Sequence, residues 1–320
     1  MPLPVVIAHS DYNPSLEFIL WQAASRVPAD DLTFLGSPLN DRFPFVRHVD
    51  GTAPMFHEAA REFAGVYRHM SSNSRMFELA ALQRWFRIRA LMHAEGMSEV
   101  LVLDSDVLLF ATPAEIRALW FDGSAVGLAV PGGQEAYEWC ASGHSCYWPV
   151  DRLDAFCEFL MRLYAVPAER ALLEGKWAHH LSSSTLGGVC DMTAFYLFAR
   201  HESAVVNVSA VRAGTTFDHN INTAANETEG EYEMRGGIKA VSWDAAGNPT
   251  VRRAGTGEAV RFLTLHFQGH AKAHIPAMYR GPAFADQARA RLRIRAHYTL
   301  RGPASRVAQP LRLLRGRLGG

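Results

Sequence analysis

Residues 100–110, VLVLDSDVLLF, decide how this chain is read. Val100 to Leu103 have the composition of a short buried strand, and they run directly into Asp104, Ser105 and Asp106. Carboxylates placed straight after a buried strand cost desolvation energy unless something compensates their charge. In an extended backbone, side chains at i and i+2 project to the same side. Asp104 and Asp106 are therefore expected to face one point, with Ser105 turned away. Converging carboxylates repel each other, and a divalent cation is the natural remedy. Such a cation would in turn neutralise charge on a phosphate-bearing ligand. The apolar run Val107 to Phe110 on the other side argues against a merely solvated turn.

Working outward, apolar runs alternate with amphipathic stretches. Val5 to Ala8 reads as a buried strand, and Ser15 to Ser25 as a helix with Leu16, Ile19 and Leu20 on one face. Leu32 to Gly36 reads as a strand and Ser74 to Ala94 as a long helix, in which Phe77, Leu82, Trp85, Phe86 and Ile88 keep helical spacing. Beyond the aspartates, Gly127 to Val130 is a predicted strand, with helices at Val150 to Tyr164 and Met192 to Arg200. In 238–265 the turn sequence AAGNP separates two β-like runs, a hairpin feeding a strand from Phe262 to Phe267. This alternation predicts βα units on a mostly parallel sheet. With no internal repeat and no linker within residues 1–275, one α/β domain followed by a tail, 276–320, is the simplest organisation.

The second motif lies in 261–276, RFLTLHFQGHAKAHIP. His266 sits in an otherwise apolar strand, with Gly269 and Lys272 just beyond it. A neutral imidazole completes an octahedral site beside two carboxylates. Glycine lets backbone approach a phosphate closely, and lysine places a point charge on it.

Together the motifs resemble those of the GT-A glycosyltransferases, most closely glycosyltransferase family 8, which combine D-x-D after a buried strand with a C-terminal His-x-x-Gly-x-x-Lys. Asp104-Ser105-Asp106 and His266 to Lys272 fit both patterns. The resemblance implies a Rossmann-like, mostly parallel mixed sheet flanked by helices. It implies that Asp104, Asp106 and His266 bind Mn2+ (or Mg2+), and that Gly269 and Lys272 contact the diphosphate of a nucleotide-sugar donor, UDP-sugar by analogy. The acceptor expected is a glycan or a lipid-linked glycan. On the same template His9, Ser10 and Asp11 border base and ribose, with Ser105 also at the donor, although a polar loop without ligand accounts for His9 to Asp11 equally well. Arg84 resembles the basic residue that approaches the donor; Arg84, Arg87 and Arg89 also read as a solvated helix face. Asp191 resembles the segment beside the reacting sugar carbon, and it would also serve as a helix N-cap. The family implies retention of configuration, while an inverting enzyme would use Asp191 as base. Asn220 and Asn222 are candidates for hydroxyl contacts or for turns. Ser142 and His144 read as part of a Gly/Ser-containing loop on the acceptor side.

Two other classes use the same letters. Haloacid-dehalogenase-type phosphatases place D-x-D at a strand end with the first aspartate, here Asp104, as nucleophile. Their motif opens the fold, whereas this one follows at least two strands. A non-catalytic sugar-nucleotide-binding protein would be expected to lose a metal ligand, and both halves of the proposed site are present.

Composition is that of a soluble globular protein: 48% hydrophobic and 20% charged over 320 residues. Cys140, Cys146, Cys157 and Cys190 lack zinc-site spacing and are too sparse for a disulfide scaffold, which reads as reduced thiols in a cytoplasmic protein. The N-terminal 14 residues lack a basic stretch followed by an apolar core, so no signal peptide is expected. Of the 32 basic residues, nine arginines lie in 287–320, which has no acidic residue, so residues 1–286 carry a net charge of −9. This basic end suits peripheral contact with an anionic inner membrane surface. Nucleic acid matches the acidic body poorly.

Overall fold

Val5–His9 (β1) alternates its side chains between two cores, and every strand beside it does the same. Val5 and Ile7 join one cluster while Val6 joins the other; Leu101 and Leu103 likewise oppose Val100 and Val102. A strand apolar at consecutive positions is thus explained by a sheet covered on both faces. These features belong to a computed structural model that describes residues 2–202 and 204–299.

The elements follow in chain order. Leu16–Ala24 (α1), Leu32–Gly36 (β2), Arg47–Asp50 (β3), Pro54–Val66 (α2) and Arg75–Ala94 (α3) lead to Glu99–Leu103 (β4) and Val107–Leu109 (β5). Pro113–Trp120 (α4), Val126–Ala129 (β6), Ser142–Pro149 (β7), Val150–Ala165 (α5), Pro167–Ser182 (α6) and Asp191–His201 (α7) follow. The remainder is Val205–Asn207 (β8), Thr215–Phe217 (β9), Met234–Arg235 (β10), Ile238–Lys239 (β11), Ser242–Trp243 (β12), Pro249–Arg252 (β13), Ala259–His266 (β14), Ile275–Met278 (α8) and Gln287–Thr299 (α9).

The main sheet has the order β3-β2-β1-β4-β7-β6-β8. β3, β2, β1 and β4 run parallel, β7 is antiparallel to both its neighbours, and β6 and β8 are parallel. The expected α/β architecture with a mostly parallel sheet flanked by helices is therefore observed. α2, α3, α5 and α7 pack together over one face. A second sheet, β12-β13-β14-β5 with β9 beside β14, covers the other face together with α1. The chain passes from the first sheet to the second between β4 and β5, at the aspartate pair. Strand order reverses direction at β1, so the carboxyl ends of β1 and β4 form the crevice at which open α/β sheets bind ligands.

The predicted hairpin is present as β12 and β13 around the AAGNP turn. One expectation is overturned. The Gly/Ser-containing stretch with Ser142 and His144 is not a loop but the start of β7, an interior strand whose residues from Gly143 onward are buried. Its polar residues conceal it, because the partners that accommodate His144, the Asp218 carbonyl and the ring of His266, are distant in sequence.

The basic end begins as structure. α9 lays Ala290 and Ile294 into the core beside the short helical stretch Gly269–His274, while Arg289, Arg291 and Arg293 stay exposed. Residues 300–320 lie outside the described residues. Among those described, no helix is long and apolar enough to cross a membrane, and all four cysteines are free.

Candidate functional site

At the end of β4 the backbone turns instead of continuing extended: the Val107 N–H donates to the Asp104 carbonyl at 3.1 Å. Ser105 consequently does not face away. Its hydroxyl lies 3.0 Å from Nδ1 of His9, at the end of β1. The two carboxylates diverge to different partners around one cavity. Asp104 accepts a hydrogen bond from Arg84 of α3 at 2.6 Å, and the same guanidinium reaches Asp191, the first residue of α7, at 3.1 Å. The N-cap of α7 is Cys190, so Asp191 is not the cap and its carboxylate is directed to Arg84. Burial opposes the charge of Arg84, but Asp104 and Asp191 outweigh it and raise its pKa. Asp104 is itself pushed upward, by burial first and by Asp106, against the pull of Arg84.

Asp106 has the opposite balance. Burial disfavours its charge, yet His266 and Lys272 together hold it below the usual carboxylate range, and Lys272 lies 3.0 Å from Oδ2. The sheet register places His266 here, because β14 pairs antiparallel with β5, His266 opposite Val107. The Phe267 N–H donates to the Asp106 carbonyl at 3.0 Å. Nδ1 of His266 donates to the His219 carbonyl at 2.7 Å, and its Nε2 lies 3.6 Å from Oδ1 of Asp106. That Oδ1 is buried and has no hydrogen-bond partner. A cation entering that gap would meet the carboxylate oxygen and, from the neutral ring, the Nε2 lone pair, with Nδ1 fixed by a carbonyl as in metal-ligating histidines. The donor set of one imidazole and one carboxylate, with a second carboxylate nearby, suits a divalent cation. Among the described residues, however, no three His, Cys, Asp or Glu side chains are already gathered as ligands, since Asp104 is engaged by Arg84.

Beneath His266 lies a layer that sequence reasoning missed. Asp218 and Lys239, both fully buried, pair at 2.8 Å. The second oxygen of Asp218 accepts the His266 backbone N–H at 3.0 Å, and Lys239 also donates to the carbonyls of Asn220 at 2.6 Å and Ala225 at 3.1 Å. The ring of His144 stacks on His266 at 4.0 Å and donates from Nε2 to the Asp218 carbonyl at 2.8 Å. Burial, with His266 and His219 close by, holds His144 far below its ordinary pKa, and burial together with His266 brings His219 down to about 4. Both are neutral supports. Asn220 donates to Gln268 at 2.8 Å and accepts the Asn222 backbone N–H, and neither asparagine lines the cavity.

The loop after β1 is equally well held. Buried Asn40 donates to the carbonyls of His9 at 3.1 Å and Ser10 at 3.2 Å, and Ser37 donates to Ser10 at 2.6 Å. Nε2 of His9 is buried without a partner, and its pKa is lowered by burial and by Lys272. His9, Ser10, Asp11, Arg84, Asp104, Ser105, Asp106, Asp191, His266, Gly269 and Lys272 all line one cavity of about 1070 Å³. Gly269 has φ +59°, a left-handed conformation that favours glycine. Arg87 also reaches this cavity, whereas Arg89 faces Asp154 at 3.9 Å.

No protein-family model and no curated protein matches the chain. Among solved structures, the apo form of mouse xyloside xylosyltransferase 1 is similar with a TM-score of 0.40 and 10% identity, over 64% of this chain and 84% of that one. The galactosyltransferase LgtC, in complex with donor and acceptor sugar analogs, has a TM-score of 0.34 and 15% identity, over 63% of this chain and 72% of that one. The bifunctional WbbM glycosyltransferase has a TM-score of 0.41 and 13% identity, over 91% of this chain and 51% of that one.

Proposed function

We propose that the chain is a metal-dependent GT-A glycosyltransferase, similar to family 8, that moves a hexose from a UDP-sugar to a glycan or lipid-linked acceptor with retention of configuration. The observation that carries this reading is the unpartnered, buried Asp106 Oδ1 lying 3.6 Å from His266 Nε2, with Lys272 alongside. Asp106, His266 and, once parted from Arg84, Asp104 would hold Mn2+ or Mg2+. Bound there, the ion supplies Lewis-acid neutralisation of the departing diphosphate.

The chain's own residues divide the remaining work. Lys272 places a positive charge, and Gly269 exposed backbone, against the diphosphate. His9, Ser10 and Asp11 border base and ribose, with the orphaned His9 Nε2 available to a ligand hydroxyl. Arg84 orients Asp191, whose carboxylate stabilises the oxocarbenium-like sugar carbon. The bond from that carbon to the phosphate oxygen breaks and the bond to the acceptor oxygen forms on the same face. The acceptor proton leaves with the diphosphate.

Calorimetric titration with UDP, with and without Mn2+, tests the reading. Binding that requires Mn2+ and weakens in His266→Ala supports it. Indifference to UDP under both conditions sinks it, and phosphorylation of Asp104 would then mark the chain as a phosphatase. The basic end, with nine arginines in 287–320, fits peripheral attachment to anionic lipid at about 1 kcal/mol per arginine near the surface.

A further inference from the structure

The cavity extends well past the residues assigned to the donor. Those lie at the carboxyl ends of β1, β4 and β14, and Arg84 links Asp104 there to Asp191. Beyond Asp191 the lining comes from the loop before β7, the second half of α6 and the segment leading into α7.

That loop is built at a cost the fold does not require. Tyr137 and Trp139 have φ of +69° and +28°, a region in which a bulky side chain is an outlier. Strain of this kind persists only when the surroundings over-determine it, and it collects at ligand clamps. Here Gln134 closes the base of the loop, donating to the carbonyls of Pro131 at 2.9 Å and Cys140 at 2.6 Å while accepting the Cys140 N–H. Lys176 of α6, 3% exposed, donates to the carbonyls of Tyr137 at 2.7 Å, Glu138 at 2.9 Å and Trp139 at 3.5 Å. A buried ammonium is thus committed to three successive carbonyls of one strained loop. The neighbouring Gly175 leaves room for the tyrosine, because a Cβ there would come within 3.1 Å of its hydroxyl. The two rings so presented stay half-buried on the cavity, Tyr137 stacked on His179 at 5.2 Å and Trp139 on Tyr196 at 6.4 Å.

We infer that this wall, Tyr137 and Trp139 held by Lys176, is a sugar subsite that takes a pyranose ring of the acceptor and presents it to Asp191. The inference rests on the glycosyltransferase reading. Aromatic faces match the apolar C–H face of a pyranose, and Ser142, His179 and His180 around them provide the few convergent polar groups that orient a ligand. Lys176 is a positioning residue and does not touch the sugar.

Saturation-transfer NMR on the full chain with Mn2+, UDP and the methyl pyranosides of glucose, galactose and N-acetylglucosamine tests it. Saturation of at least one pyranoside is expected, reduced about tenfold in Trp139→Ala and partly restored in Trp139→Phe. Lys176→Met should weaken it at unchanged UDP affinity, which a general loss of folding would not permit. Undiminished pyranoside saturation in Trp139→Ala overturns the inference. So does a wild-type protein that binds UDP but no pyranoside, or one whose UDP signal is what Trp139→Ala removes. Pyranoside binding that depends on Trp139 in the absence of UDP binding would uphold the subsite while removing the donor assignment.

Discussion

Lys272 illustrates how one side chain serves two tasks. It answers the charge of Asp106 at 3.0 Å and, in the proposed function, also meets the donor diphosphate. Lys272→Met should therefore lower UDP affinity by about 10- to 150-fold, the worth of one charge-assisted contact, read by calorimetry. Arg84 is the residue whose role the sequence left most open. Helical spacing cannot tell a solvated arginine from one that bridges two carboxylates 20 and 107 positions away. The N-cap alternative for Asp191 failed for a related reason: Cys190 occupies that position, and the carboxylate had a distant partner to satisfy.

Elements show where local pattern suffices. β4 and β14 were legible because Val100 to Leu103 and Phe262 to Leu265 are largely apolar runs ending at the motifs, and α3 because its apolar residues keep helical spacing. β7 was not, since Gly143, His144 and Ser145 look like loop residues until His144 is stacked on His266 and bonded to Ser142 and Asp218. β11 carries a comparable surprise in Lys239, a charge buried completely against Asp218. Lys239→Met would strand that carboxylate in the interior and is expected to cost about 3–5 kcal/mol, read as a lower denaturant midpoint. The double variant Asp218→Asn with Lys239→Met should recover much of that loss, because no unpaired charge then remains. Failure to recover would mean that the pair is needed for its geometry, through the Asp218 contact to the His266 N–H.

For the molecule as a whole, an acidic body carries a basic end. The site lies where the two sheets meet, and α9 docks beside Gly269–His274 with its arginines outward. Removal of residues 300–320 should leave Mn2+-dependent UDP binding intact while reducing co-sedimentation with phosphatidylserine vesicles at low salt; equal sedimentation of both forms would remove the membrane assignment. The α/β class, the strand that ends in Asp104-Ser105-Asp106, and the His266 to Lys272 motif were all present in the sequence, because periodicity and spacing are local properties of a chain. The direction of each carboxylate, the partners of Arg84, the neutral histidine layer and the Lys176-braced aromatic wall came only with the tertiary structure. Each depends on groups far apart in sequence that meet only when the sheets pack, and burial then decides which charges must be paired.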